Sequence, residues 1–256
     1  MSLPDLLLLA LAGFAAGGMN ALAGGGTFFS FPALLAAGLP PVTANATNAV
    51  ALWPASLAGA WAARASLRPL GRYLLPLLLA GLAGGLLGGL LLLAGGDDVF
   101  RVLIPWLLLA ATALFAASPW LGRALAARRK AAEYPPHTPL SLGAHIGVSI
   151  YGGYFGAGMG ILQLAAFSIE GHPLARANAL KNLISAVLYS IATLTFVIAG
   201  RVSWYELAIL LTGATIGGYA GGALGEKLPP ALLRSFVILV GSTMTLYYFW
   251  STYFSA

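Results

Sequence analysis

The sequence contains no cysteine and very few charged residues. Of its 256 residues, 59% are hydrophobic and only 8% are charged. Without a thiol, the chain can form no disulfide framework, no thiolate metal site and no cysteine nucleophile. The small charged fraction leaves too little polar surface to cover a water-soluble globule. These shortages predict an integral membrane protein.

Motifs of several enzyme classes are also missing. The sequence has no Gly-x-Ser-x-Gly elbow, no His-Glu-x-x-His and no Walker-type phosphate loop. We therefore predict no catalytic residues, no bound metal and no cofactor. The net charge of +6 does not indicate nucleic acid binding, because the basic residues lie in short connections between apolar runs. Such a distribution orients a protein in a bilayer.

Apolar segments recur from one end of the chain to the other. They lie near 3–23, 27–38, 43–63, 70–94 and 99–121, and then near 140–158, 159–170, 177–199, 204–225 and 231–254. A membrane span needs about 20 apolar residues, so both second segments are too short to cross fully. The pattern predicts an all-helical membrane protein with one repeat over 1–121, a polar linker over 122–138 and a second repeat over 139–256.

Local sequence similarity supports the repeat. Pro40 and Asn45 align with Pro173 and Asn178. A glycine cluster precedes each short segment, and we interpret these clusters as backbone where a helix is broken around a transport site; they comprise Gly24, Gly25 and Gly26 in the first half and Gly156, Gly158 and Gly160 in the second. Other glycines, such as Gly84, have the spacing of closely packed helices, where an alanine is expected to be mild.

The charges of the connections predict the orientation of the two halves. Lys and Arg in short connections stay on the cytoplasmic side of a membrane. If every segment crosses, each half has five crossings, which place the 122–138 linker and the 226–234 connection inside, and Asp97 and Asp98 outside. Whether a short segment spans, or dips in and returns with its neighbour, does not change this parity. An odd number of crossings makes the second repeat inverted relative to the first. Four crossings per half would make the repeats parallel and would move the basic 226–234 connection outside.

Longer motifs in both halves resemble a known family. Ala-Gly-Gly-Gly-Thr, Phe-Pro-Ala-Leu-Leu-Ala-Ala-Gly and Ala-Asn-Ala-Thr-Asn, between Gly17 and Asn48, resemble the TauE/SafE sulfite exporters. The stretches 152–160 and 177–182 look like the second repeat of that family. The resemblance covers nearly the whole chain. It implies an inner-membrane carrier, an exporter of sulfite, a sulfonate or a related sulfur-containing or organic anion.

Such a carrier would work by alternating access at a site where the two halves meet. Its partners would be the small anion, a coupling ion such as a proton, and membrane lipid. An anion channel is the alternative, and an intramembrane enzyme is a third reading. The sequence does not identify the anion, the coupling ion, the direction of transport or the oligomeric state.

An anion inside a membrane needs hydrogen-bond donors and positive potential. Amides, hydroxyls and one lysine near the repeated asparagine segments have this chemistry, and we predict that they bind substrate: Asn45, Thr47, Asn48, Asn178, Lys181 and Asn182, with Thr27 and Gln163 in the short segments. Helix capping by the asparagines and snorkelling of Lys181 to the interface are open alternatives. Two histidines are candidates for proton linkage. We expect His145 to be a hydrogen-bonded packing residue and His172, in a loop, to face solvent.

Overall fold

The protein is described by a computed structural model that covers residues 3–22, 25–127, 137–224 and 230–254. The regular structure in these ranges is helical, which confirms the predicted all-α class. In chain order the helices are α1 (Leu3–Leu22), α2 (Thr27–Ala36), α3 (Pro41–Ala62), α4 (Arg64–Leu67), a 3-10 helix (Arg68–Tyr73), α5 (Leu74–Ala127), α6 (Pro139–Tyr154), α7 (Met159–Ile169), α8 (Leu174–Ile198), α9 (Trp204–Leu224) and α10 (Pro230–Tyr253).

The helices have the length and the surface of membrane spans. Three stretches of the described residues are long and apolar enough to cross a bilayer: Leu3–Asn20, Arg64–Ala124 and Ala175–Ile198. Many large apolar side chains lie on the outside, for example Leu246, which is 71% exposed, and Ile198, which is 77% exposed. So many exposed large apolar side chains are suited to lipid rather than to water.

Breaks between the helices fall close to the predicted positions. The short helices α2 and α7 match the short second segments of the two halves. Within α5, Gly96 has φ 68° and ψ −175°, so α5 consists of two helices joined near Asp97. The second of these runs on to Ala127, and the first residues of the predicted linker are therefore helical. Residues 128–136 lie outside the described part of the chain.

The two short helices end in the same way. Gly38 and Gly171 both have left-handed φ values, 88° and 93°. Each follows its helix in a Schellman arrangement, in which the next N–H, of Leu39 or of His172, donates back to a carbonyl five residues earlier. Proline then follows and the next helix begins. The repeat seen in the sequence therefore corresponds to a repeated local structure.

The described residues form two compact units, and each unit takes helices from both halves of the sequence. The first unit contains 1–52, 92–116 and 196–256, and the second contains 53–91 and 117–195. Phe31 packs on Phe100 at 6.0 Å in the core of the first unit. In the second unit, buried Leu77, Phe167 and Leu180 belong to one apolar cluster.

Glycines bring helices into close contact within each unit. In the first unit α1 packs along α9, where the backbone of Ala10 and Phe14 lies against Gly213. In the second unit the first helix of α5 packs on α6, where a Cβ atom on Gly153 would lie 2.5 Å from the carbonyl oxygen of Gly85. The first segment of each half thus packs on the fourth segment of the other half.

The predicted packing role of these glycines is confirmed, but the expectation that alanine is mild at Gly84 is wrong. A Cβ atom there would collide with Ser149 Cβ and would lie 2.8 Å from the carbonyl oxygen of Ile146. Backbone atoms of a packed helix cannot move aside as a flexible side chain can. Spacing in the sequence indicates which glycines face a helix but not how little room they have.

We therefore predict that Gly84→Ala destabilises the protein, by about 1–3 kcal/mol, because it forces α5 and α6 apart. Gly147→Ala on α6 is the matched control, since nothing lies within 4 Å of its Cβ position. Alanine there should be neutral or stabilising by up to about 1 kcal/mol. Thermal unfolding of both variants in detergent measures the difference, and equal melting temperatures would contradict the tight packing.

Candidate substrate site

A cluster of three buried polar side chains joins α2 to α3 in the first unit. Ser30 donates a hydrogen bond from its hydroxyl to Asn48 Oδ1. Asn48 Nδ2 in turn lies 3.5 Å from Thr27 Oγ1. All three side chains are at most 4% exposed. The predicted residues Thr27 and Asn48 are therefore neighbours, and they largely satisfy one another.

Thr47 and Asn45 lie near the same end of α3. The Thr47 hydroxyl accepts a hydrogen bond of 3.0 Å from the backbone N–H of Ser203, in the connection between α8 and α9. The side chain of Thr47 is completely buried, so this contact fastens that connection to α3. Asn45 is buried as well. One turn before it, the backbone N–H of Val42 donates to Asp97 Oδ1 at 2.8 Å.

A second cluster joins α7 to α8 in the second unit. The stem of Lys181 runs over the first turn of α7, where a Cβ atom on Gly160 would lie 3.6 Å from Lys181 Cδ. One turn further along each helix, Ser185 donates a hydrogen bond of 3.0 Å to Gln163 Oε1. Gln163 is 1% exposed, and its Nε2 has no hydrogen-bond partner in the described residues. Lysine and glutamine thus lie on facing sides of α8 and α7.

The two clusters occupy equivalent positions in the two halves. Extending the alignment of Asn45 with Asn178 pairs Thr27 with Gly160, Ser30 with Gln163 and Asn48 with Lys181. In the first half these positions hold groups that hydrogen-bond one another. In the second half they hold an amide donor and a cation. The same local fold therefore carries neutral, paired chemistry once and donor-rich, positive chemistry once.

The electrostatics of the second cluster favour a negatively charged ligand. The N-terminus of α7 carries the positive end of the helix dipole, and Lys181 adds a full charge beside it. No carboxylate of the described residues forms an ion pair with Lys181. A buried donor without an acceptor costs about 1–3 kcal/mol. An oxyanion here would accept a hydrogen bond from Gln163 Nε2. Its negative charge would also offset the positive end of the α7 dipole and the charge of Lys181.

The glycines predicted to break the helices adopt the expected backbone only in part. Gly156 and Gly158 have φ values of 83° and 74°, and Gly158 caps the N-terminus of α7. Gly25 is also left-handed, whereas Gly26 has helical angles at the start of α2. Gly160 lies inside α7. Gly24 lies outside the described residues.

Two further predicted residues lie away from the second cluster. Asn178 is exposed. Asn182 packs on α3, where its Nδ2 is 3.2 Å from the Cβ position of Gly59. Conversely, Ser185 belongs to the cluster and was missed by the sequence analysis. Its signal is the spacing of four residues from Lys181, which places both on one face of a helix.

A separate network surrounds Glu170, the residue that follows α7. Its Oε1 accepts from the hydroxyl of Ser141 and lies 2.8 Å from His145 Nε2. Its Oε2 lies 3.8 Å from His172 Nε2, and that same nitrogen is 2.9 Å from the hydroxyl of Tyr73. The network ties the end of α7 to the 3-10 helix, α6 and the start of α8.

This network settles the two histidine predictions differently. His145 is a buried, hydrogen-bonded packing residue, as expected. The expectation that His172 faces solvent is wrong, because its side chain is 0% exposed. The ring of Phe167 meets it edge-on at 5.8 Å and Tyr73 does so at 5.7 Å. Glu170 was not singled out in the sequence, although a carboxylate between apolar segments is a signal in itself.

Two groups in the connection between α7 and α8, His172 and Glu170, have lowered pKa values for different reasons. Burial lowers the pKa of His172 from 6.5 to about 4, although Glu170 opposes the shift. For Glu170, burial acts to raise the pKa, but the hydrogen bonds from His145 and Ser141, together with the histidine charges, hold it below its usual value. The folded protein therefore binds protons at these groups less readily than the unfolded chain.

The protein should consequently lose stability as the pH falls. Since the unfolded chain takes up a proton at His172 near 6.5 and the folded chain only near 4, stability falls with decreasing pH between these values, by about 1.4 kcal/mol per unit at most. His172→Gln should flatten this dependence, measured as melting temperature against pH. The control is Arg201→Gln, an exposed residue in another connection. An unchanged slope in His172→Gln would contradict the assignment.

The chain is similar to known membrane transporter proteins. Residues 9–248 match the family model described as sulfite exporter TauE/SafE. The chain is 30% identical over 237 residues to the probable membrane transporter protein YfcA of Escherichia coli strain K12, covering 92% of this chain and 84% of that protein. It is 29% identical over 249 residues to a probable membrane transporter protein of Haemophilus influenzae, covering 94% and 93%. No solved structure matches the chain.

Proposed function

The chain belongs to the sulfite exporter TauE/SafE family, and from that membership we propose that it carries a small oxyanion across the bacterial inner membrane by alternating access. It is an integral membrane protein of a transporter family. The family description names sulfite and export, and it supports the proposal that this chain exports sulfite or a related anion, such as a sulfonate or another sulfur-containing or organic anion.

This proposal rests on one observation: Lys181 on α8 and Gln163 on α7 lie on facing sides of these two helices, near the N-terminus of α7. A lysine and an unpaired amide donor beside a helix N-terminus form a site for an anion rather than for a cation or a neutral solute. A sulfur oxyanion has several acceptor oxygens on one centre. Its oxygens suit both an amide N–H, such as that of Gln163 Nε2, and an ammonium, such as that of Lys181.

We predict that the charge of Lys181 governs affinity. An ammonium about 4 Å from an anion interacts by about 4 kcal/mol at an effective dielectric of 20, so Lys181→Gln should raise the half-saturating anion concentration about tenfold or more. Lys181→Arg should retain part of the affinity. The assay is uptake of labelled sulfite or sulfate into proteoliposomes with matched protein amounts.

Arg72→Gln is the control for this experiment, because Arg72 is an exposed cation in a connection. It should leave the half-saturating concentration unchanged. Wild-type concentration dependence in Lys181→Gln would remove Lys181 from the site and would support snorkelling instead. Flux that never saturates in the wild type would favour an anion channel over a carrier.

Contacts within each unit support the inverted orientation proposed from the charges. Tyr73 hydrogen-bonds to His172, and its ring stacks on His137 at 4.1 Å; with five crossings per half and the 122–138 linker inside, the connections that contain these three residues all lie on the cytoplasmic side. Asp97 bonds to the backbone of Val42, and Ser203 bonds to Thr47; the same count of crossings assigns all four to the outer side. Neither set mixes the two sides.

Cysteine labelling tests this orientation directly, since the wild type has no cysteine. Ser66 and Asp98 are both exposed. Ser66→Cys should react with a membrane-impermeant maleimide only after the cells are permeabilised, whereas Asp98→Cys should react in intact cells. Labelling of both variants in intact cells would sink the proposed inversion.

A further inference from the structure

A groove on the second unit has apolar walls. It has a volume of about 500 Å³ and lies between α3 and the start of α5 on one side and α8 on the other. Leu57 and Ala60 contribute from α3, and Leu183 and Val187 from α8. The only uncharged polar side chains in its lining are Trp61 and Ser190.

The Ser190 hydroxyl in the groove has hydrogen-bond partners within the protein. The Ser190 hydroxyl donates to the carbonyl oxygen of Ala186 at 2.8 Å and accepts from Trp53 Nε1 at 2.8 Å. The Ser190 hydroxyl is therefore already satisfied, and apart from Trp61 and the charged residues the walls carry no other polar side chain. A hydrocarbon chain can bind to such walls without losing any hydrogen bond.

One end of the groove is basic. Arg64 and Arg68 line it one helical turn apart, and both are exposed. The Arg64 guanidinium lies 4.7 Å from the centre of the Trp61 ring and donates to the Trp61 carbonyl oxygen at 2.9 Å. No described carboxylate forms an ion pair with either arginine. An exposed tryptophan beside arginines is typical of the level of lipid headgroups.

We propose that this groove binds one anionic phospholipid, with its phosphodiester on Arg64 and Arg68 and an acyl chain along α3 and α8. The two guanidinium groups supply the charge that an anionic headgroup complements, and the dry walls supply the surface that its chain covers. Basic pockets between membrane helices recognise anionic headgroups in this manner. The groove shares no residue with the proposed substrate cluster of Lys181, Gln163 and Ser185.

The test is native mass spectrometry of the purified protein with phosphatidylglycerol or phosphatidylcholine of identical acyl chains. The wild type should retain one phosphatidylglycerol in preference to phosphatidylcholine. In the double variant Arg64→Gln, Arg68→Gln, the preference for phosphatidylglycerol over phosphatidylcholine should fall about tenfold or more, because each basic contact contributes about 1 kcal/mol. Arg123→Gln, which removes an exposed arginine that does not line the groove, should behave as the wild type.

Two further experiments identify what binds in the groove. Ala60→Phe narrows the groove without changing its charge and should also weaken retention of phosphatidylglycerol. Inorganic phosphate should not displace the lipid, since the acyl chain contributes to binding. Equal retention of the two lipids, full retention by the double arginine variant, or displacement by phosphate alone would each overturn the proposal. A dimer that dissociates in Ala60→Phe would assign the groove to a second copy and would overturn it as well.

Discussion

A helix that stops short of crossing a membrane must find partners for its terminal backbone groups, and the architecture around α2 and α7 follows from that constraint. These helices have 10 and 11 residues, about half of a membrane span. Their C-termini are closed by Gly38 and Gly171 in the same Schellman arrangement. Their N-termini begin at glycines and face α3 and α8. Side chains on these facing surfaces must then satisfy one another or bind a ligand.

The two halves answer this requirement differently. Around α2, the hydroxyls of Thr27 and Ser30 and the amide of Asn48 form a closed set. Around α7, Gly160 leaves space for the stem of Lys181, and Gln163 keeps one donor free of protein partners. The duplicated structure thus provides one neutral helix contact, between α2 and α3, and one helix contact that attracts an anion, between α7 and α8. If the two helix contacts were identical, the equivalent positions of Asn48 and Lys181 would hold either two lysines or none.

Much of this arrangement could be predicted from the sequence, because it rests on local rules. Length and hydropathy locate α2 and α7, and the match of Pro40 and Asn45 with Pro173 and Asn178 relates the halves. The features that could not be predicted depend on contacts between residues that lie far apart in the sequence. Burial of His172 depends on Tyr73, which lies 99 positions away in the chain, and the tight fit at Gly84 depends on α6. The pairing of Gln163 with Ser185 also needs two helices to be placed side by side. Hydropathy contains no information on these contacts.

The proposed function depends on recognition of negative charge by the cluster of Lys181 and Gln163. Isothermal titration of the purified protein with methanesulfonate and with its neutral isostere dimethyl sulfone tests it directly, because the two ligands differ in charge but hardly in shape. We expect saturable binding of the sulfonate, no binding of the sulfone, and loss of sulfonate binding in Gln163→Leu. Equal binding of both ligands, or undiminished sulfonate binding in Gln163→Leu, would contradict it.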